Sequence, residues 1–346
     1  MRLAEDGRLP DVVLRAGIRA RVAARLRHAR RGGVEAQSER FRELLARFAE
    51  EPVAIATQDA NAQHYELPPA FFELVLGPHL KYSCCYWPAG IDDLGDAEEA
   101  MLRLYAERAR LQDGQDVLDL GCGWGSLSLW LAERHPASRI LGVTGSEAQA
   151  GFIRRTAQER GLDNVEVVVR DANVLSLDRS FDRIVSVEML EHVKNIRRLL
   201  ARAAGWLRPD GLAFVHVFSH RDVAFEYHAD DSSDWIGRHF FSGGTMPSDA
   251  LVPRAASDAF DLVDHWRLGG EHYARTARAW LANLDAHRDE AAAALATGDN
   301  PEPIDRQIGR WRLFFLVCEG TWGHARGGEF MVSHYLMRPR DRGTGD

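Results

Sequence analysis

Between positions 187 and 192 the chain reads Val-Glu-Met-Leu-Glu-His, so Glu188, Glu191 and His192 bring two carboxylates and an imidazole within five residues. With Glu188 opening a helical turn, the three would share one side of it. Neighbouring acids raise one another's pKa and hold a proton or an ammonium between them, and an imidazole beside them suits general-base work. The plain structural alternative is a first helical turn whose acids complement the backbone dipole. A second constellation is Asp119-Leu120-Gly121-Cys122-Gly123-Trp124-Gly125. Its glycines let the backbone approach a ligand with no Cβ in the way. The pattern departs from the G-x-G-x-x-G of a dinucleotide site, and an acid two positions before the first glycine suits a cationic ligand better than a pyrophosphate.

Two more segments carry polar groups to the same edge. Gly142-Val143-Thr144-Gly145-Ser146 lacks the acid that many nucleotide folds use for ribose, so Thr144, Ser146 and Gln149 must supply those hydrogen bonds. Arg170-Asp171-Ala172-Asn173 offers a carboxylate to an adenine amino group and a small residue beside it for the ring. The alternative is that Asp171 merely caps a turn.

The elements that must position these groups alternate regularly. Val117-Leu118 and Leu120 form a short apolar run fit for a buried parallel strand, and from Ser126 the apolar spacing turns helical. Further strands are expected at 139–143, 165–169, 184–187 and 212–218, with helices at 147–160 and 196–207 between them. This rhythm predicts a parallel sheet covered on both faces, with ligands gathering beyond the strand C-termini. Upstream, helices are expected at 12–31, where seven arginines (15, 19, 21, 25, 27, 30 and 31) accompany an apolar stripe, and at 36–50. Those arginines are read as a solvated face, with docking on an anionic membrane as the alternative. The segment 61–87 mixes aromatics with hydroxyls, among them Gln63-His64-Tyr65, Phe71-Phe72 and Tyr82-Ser83, and reads as a lid over a ligand, with the cap's own core as the alternative. A helix at 97–111 leads into the first strand. Beyond His220 the rhythm breaks: 221–247 is a long polar loop of the kind that often carries function. Downstream come a strand at 260–268, a helix at 273–287, a low-complexity mobile link at 291–303, helical aromatic spacing from Trp311 to Trp322, and a last antiparallel strand at 330–337 followed by a frayed tail.

Bulk properties narrow the function classes. The 346 residues, 45% apolar, suffice for one large domain with an appendage. A net charge of -8 argues against a nucleic-acid binder, and no run of 18 apolar residues or leader sequence suggests membrane insertion or export. The cysteines (84, 85, 122 and 318) form no C-x-x-C and read as reduced thiols of a cytoplasmic protein. Histidines show no ligand spacing, so no metal is expected.

With these residues collected, the chain resembles the cyclopropane-fatty-acid-synthase superfamily of methyltransferases over nearly its whole length, and within it the coclaurine-type N-methyltransferases. Leu80 to Tyr86, Val117 to Gly125, Glu188 to His192, Phe240 to Pro247, His272 to Thr276 and Trp311 to Phe315 carry the likeness. The resemblance implies an α/β class I methyltransferase fold, Rossmann-like, with a mostly parallel seven-stranded sheet, an N-terminal helical cap and an inserted lid. The corresponding division is 1–105 for the cap, 106–220 for the cofactor core and 221–346 for the lid and the closing elements. It implies S-adenosylmethionine as cofactor, contacted by Ser83, Gly121, Gly145, Gln149, Asp171, Ala172 and Val187, with Tyr82, Asp119, Gly123 and Thr144 beside them. Glu188, Glu191 and His192 would surround the accepting nitrogen of a small amine, and Tyr86, Phe241, Tyr273, Trp311 and Phe314 would line an aromatic substrate pocket. A homodimer is compatible with the likeness. The cyclopropane synthases are the second reading, in which Cys84, Glu191, His216 and Tyr273 would hold a bicarbonate ion that deprotonates a methylated lipid cation. Glu188 argues against it, because a second acid serves a charged amine better than an alkene.

Overall fold

The computed structural model describes residues 2–55, 67–231, 234–298 and 300–340. Gln63-His64-Tyr65, part of the expected aromatic lid, lie outside the described residues. Three helices come first: α1 (Arg2–Glu5), α2 (Asp11–Ala29) and α3 (Gly33–Glu50). They are followed by α4 (Pro69–Val75), which a proline opens, and α5 (Leu94–Arg108), whose N-cap Asp93 accepts from the Gly95 and Asp96 amides.

The alternating unit then runs β1 (Asp116–Leu120), α6 (Ser126–Arg134), β2 (Arg139–Thr144), α7 (Glu147–Arg160), β3 (Val165–Val169), β4 (Phe181–Val187), α8 (Ile196–Trp206) and β5 (Leu207–His220). A short ribbon of β6 (Phe225–Glu226) and β7 (Thr245–Met246) brackets α9 (Trp235–His239) in the 221–247 segment. The chain finishes with α10 (Leu251–Ala256), β8 (Phe260–Gly269), α11 (Glu271–Ala286), α12 (Arg288–Leu295), α13 (Ile304–Trp322) and β9 (Phe330–Pro339).

Among the described residues the main sheet has seven strands in the order β3-β2-β1-β4-β5-β9-β8. The first five are parallel to one another, and β9 pairs antiparallel with both β5 and β8. The connections out of β1 and β4 diverge to opposite sides, so the crevice beyond β1 and β4 is the topological switch point where open α/β sheets hold ligands. β1 is buried at every position, as its continuous apolar run requires.

Two sequence expectations need correction. The link expected to be mobile at 291–303 contains helix: α12 spans Arg288–Leu295 and buries Ala291 and Leu295. Its alanine run reads as low complexity but is also strongly helix-forming, and one apolar side is enough to dock it on α4 and α13. Glu188 does not open a helical turn. It sits after β4 with φ 47°, and the 3-10 turn that follows covers Leu190–His192. Left-handed backbone at a non-glycine residue is sterically costly and tends to mark functional sites.

The arginine-rich α2 is pinned rather than merely solvated. It buries Leu14, Ile18 and Leu26, while Arg15 pairs with Glu319 on α13 at 3.0 Å and Arg25 with Asp234 at 3.1 Å. Arg25 also lies over the Phe225 and Tyr227 rings. α2 and the 221–247 lid are thereby joined above the sheet edge. No helix among the described residues is long and apolar enough to cross a membrane.

Candidate active site

A cavity of about 330 Å³ opens at the carboxyl edge of the sheet. Asp119, Gly121 and Gly123 reach it from the β1 turn, and Thr144, Gly145 and Gln149 from the end of β2. Asp171 and Ala172 face it from the end of β3, Val187 from β4, and Tyr82 and Ser83 from the segment ahead of α5. Gly121 has φ 86°, and a Cβ there would meet the Met189 side chain at 2.6 Å, so two strand-end turns pack together only because this residue is glycine.

The polar groups fit an adenosyl cofactor with a cationic tail. Asp119 is 2% exposed and accepts from Ser128 Oγ at 2.7 Å. Burial pushes its carboxyl up to about 6, with the Ser128 bonds opposing, which is a setting that a nearby ammonium would relieve. Thr144 Oγ1 donates to Gln149 Oε1 at 2.6 Å. That bond fixes the Gln149 amide, whose Nε2 is buried with no partner among the described residues, a donor suited to a ribose hydroxyl. Ser146, the other residue considered for that task, accepts from the Gln149 amide and caps α7. Asp171 accepts from the Asn173 amide at 2.7 Å, so it caps its turn and faces the cavity at once. Asn173 was not singled out in the sequence, yet its side chain bonds both Ala54 N and Ala54 O at 3.0 Å and holds Ala54 and Ile55 on the cavity wall.

Glu188 receives an unusual number of donors. Its Oε1 accepts from Cys84 N at 2.9 Å and faces His216 Nε2 at 3.0 Å, and its Oε2 accepts from the Tyr273 hydroxyl at 2.6 Å. Burial pushes the Glu188 carboxyl above the ordinary range, while the Lys81 charge and the Cys84 and Tyr273 hydrogen bonds pull it back. Lys81, given no role from the sequence alone, is 1% exposed and donates to Ser83 Oγ at 2.5 Å and to Cys84 O at 2.6 Å. Its ammonium orders the loop that presents the Cys84 amide.

Glu191 and His192 part company geometrically. Glu191 Oε1 accepts from the Phe218 amide at 2.8 Å, and its Oε2 is buried without a partner among the described residues. Burial and then the Glu188 charge push this carboxyl well above the ordinary range. His192 lines the cavity at the sheet edge alongside Glu188 and stacks on Phe241 at 4.5 Å. Burial lowers its pKa to about 4 against the attraction of Glu188, so the imidazole is neutral and has a lone pair.

A second cavity of about 1250 Å³ lies between α2, the lid and α13. Phe241, Tyr273 and Phe314 line it, together with Phe218, Tyr227 and Trp322. Glu191, Tyr86 and Trp311 line neither cavity. Tyr86 packs on His272 at 4.9 Å, and Trp311 fills an aromatic cluster with Phe71 at 5.0 Å and Phe240 at 5.1 Å. Two contacts join the cavities: Glu188 to Tyr273, and His192 to Phe241.

The strand order, the glycine turn and the acid–imidazole pair at the switch point define a class I S-adenosylmethionine-dependent methyltransferase. A family model described as mycolic acid cyclopropane synthetase matches residues 54–322, and the chain belongs to that family. It is similar to (S)-coclaurine N-methyltransferase of Thalictrum flavum subsp. glaucum, at 35% identity over 97% of this chain and 94% of that one. The cyclopropane-fatty-acyl-phospholipid synthase of Escherichia coli (strain K12) is also 35% identical, but over 66% of this chain and 57% of the synthase. A crystal structure of coclaurine N-methyltransferase bound to N-methylheliamine and SAH superposes with a TM-score of 0.92 at 34% identity, covering 97% of this chain and 98% of the other. A cyclopropane synthase from Mycobacterium tuberculosis superposes at 0.71 with 25% identity, covering 82% and 99%. The chain is an S-adenosylmethionine-dependent N-methyltransferase, nearer to the amine enzymes than to the lipid ones.

Proposed function

We propose that the chain methylates the nitrogen of a bulky, cyclic, mostly apolar amine, with coclaurine, named in relatives at 33–35% identity, as the type. Asp119 would hold the ammonium of the cofactor's methionine end, Thr144 and Gln149 its ribose, and Asp171 with Ala172 its adenine. When bound, S-adenosylmethionine supplies a methyl group on a positively charged sulfur.

An aliphatic amine is mostly protonated at neutral pH and then has no lone pair. Glu188, braced by its donors, would attract that ammonium to the junction of the two cavities. His192, neutral in its buried setting, would take the proton and free the lone pair. Glu191 lines neither cavity, so it would act from behind Glu188 and His192, with its carboxyl held by the Phe218 amide. The aromatic walls offer faces to rings and to a cation. In this reading residues 1–105 cap the site, 106–220 hold the cofactor, and 221–346 close the chamber, excluding water so that positioning lowers the barrier.

One observation carries the proposal: the carboxylate and the imidazole that face the cofactor cavity each contact an aromatic wall of the larger one. The second reading loses support from the same geometry. Three of the four residues it assigns to bicarbonate, Cys84, His216 and Tyr273, already direct a hydrogen-bonding group at Glu188. The test is transfer of labelled methyl to a panel holding cyclic aromatic amines, straight-chain amines and unsaturated phospholipid vesicles. Label in the cyclic amines supports the proposal; label confined to the lipid refutes it.

A further inference from the structure

His216 stands opposite His334 in the register of β5 and β9, and both are fully buried. His334 Nε2 lies 2.9 Å from His216 Nδ1, and His334 Nδ1 lies 2.7 Å from an Arg108 guanidinium nitrogen. With the 3.0 Å contact of His216 Nε2 to Glu188, this is an unbroken chain from a cation on α5 to the carboxylate at the junction. Building on the role given above to Glu188, we propose that Arg108 and His334 are positioning residues: they lock His216 as its Nε2–H tautomer, so that it donates to Glu188 and takes no proton from the substrate.

The protons are fixed at the Arg108 end. A guanidinium only donates, so His334 Nδ1 accepts and must lack a proton. A neutral His334 then carries its hydrogen on Nε2 and points it at His216 Nδ1. That nitrogen therefore accepts, and the Tyr105 hydroxyl 2.9 Å away directs a second donor at it. A neutral His216 is left with its hydrogen on Nε2, aimed at Glu188 Oε1. Both imidazoles stay neutral, because burial holds each well below its ordinary pKa, with Lys81 and Arg108 adding repulsion. The other ionisable groups acting on the chain are Cys84, Tyr273, Glu191 and His192 at Glu188, Tyr105 at His216, His265 at His334, and Glu107, Tyr86, Asp264 and Tyr105 at Arg108. None of them offers Arg108 a different acceptor at His334. Arg108 is itself held over the Trp266 ring at 5.0 Å.

The chain is thus polarised one way, toward the carboxylate. Carrying a proton out through it would require every member to turn over, including a guanidinium that does not deprotonate in proteins. The substrate's proton must leave by another route, which keeps His192 as its acceptor.

Two measurements test this. In the full chain with ¹⁵N-histidine, long-range ¹H–¹⁵N correlations read tautomers directly, with His216 and His334 assigned from their single variants. The expected pattern is Nε2–H for both between roughly pH 6 and 8. A Nδ1–H or doubly protonated His216 overturns the proposal. Replacing Arg108 by Met removes the fixed donor, so His334 and His216 should each show a tautomer mixture. The acid limb of kcat/KM for the amine should then move to higher pH by about one unit, while the affinity for the cofactor is unchanged. His334→Gln keeps an acceptor for Arg108 and a donor for His216 and should retain the parent's pH profile and its rate to within about threefold. An unmoved acid limb in R108M overturns the lock. The tautomer result does not depend on turnover, so loss of the role given to Glu188 and loss of the lock would be told apart.

Discussion

Replacing Glu188 by Gln removes one charge and almost no volume. The three groups facing it constrain how Gln would sit. Its carbonyl can accept from the Cys84 amide and His216 Nε2–H, while its amide nitrogen donates to Tyr273, whose hydroxyl can turn to accept. The fold is therefore expected to survive. What disappears is the attraction for an ammonium in the junction. At about 4 Å and an effective dielectric of about 20, that attraction is worth roughly 4 kcal/mol. Residual dipoles of the Gln amide and of the chamber walls recover part of it, so a loss of about 3 kcal/mol, or about two orders of magnitude in kcat/KM for the amine, is expected. Calorimetry with the cofactor should show affinity within about twofold of the parent, since Glu188 is not among the residues given to the cofactor's charges. The assay is initial-rate label transfer at saturating cofactor. A variant with kcat/KM within about threefold of the parent, or one that loses cofactor affinity in parallel with rate, would refute the reasoning.

Three further outcomes follow from single observations. Tyr273→Phe deletes the 2.6 Å donor to Glu188 but keeps the ring on Trp322; a lost charge-assisted bond of about 1.5–3 kcal/mol should lower kcat/KM at least tenfold and move its acid limb upward, whereas an unchanged pH profile counts against the contact. Asp119 titrates at about 6 in the free protein, and a cation binds only its charged form, so cofactor affinity measured by calorimetry should be full above that pH and weaken as the pH drops below it; an affinity flat from about pH 7 to 5 would remove Asp119 from the ammonium site. Leu295→Ala should destabilise the protein by about 2–4 kcal/mol in thermal or denaturant unfolding, because α12 buries that side chain; a neutral result would return the segment to a loose link.

The sequence was most informative where one physical cause acts over neighbouring residues. β3 at Val165–Val169 and α7 at Glu147–Arg160 match the expected limits, since a short apolar run and a capped helical period each declare themselves locally. The cofactor edge was legible for the same reason: each strand end leads straight into its glycine or its acid. The site's finer chemistry was not, because it is assembled across elements. Lys81 has an ordinary context in the chain and becomes a buried cation only when its loop folds beneath Glu188. The His216–His334 pair depends on the antiparallel register of two strands 118 residues apart, which no local pattern encodes. Glu188 was found for its type but placed on the wrong backbone, since a left-handed residue after a strand has no composition signal outside glycine and asparagine. Trp311 shows the converse case, in which a residue recognisable by its motif is used to build the aromatic core between the two cavities.

The central claim is that the junction receives the protonated amine and removes its proton there. It is tested most directly by kcat/KM at fixed neutral pH for a series of cyclic amines of one shape and graded basicity. If Glu188 and His192 act as described, kcat/KM should hold level or rise with amine pKa, since the ammonium is the form that binds. If only the free base enters from solution, kcat/KM should instead fall by about tenfold for each unit of amine pKa above the assay pH, and that result would contradict the account.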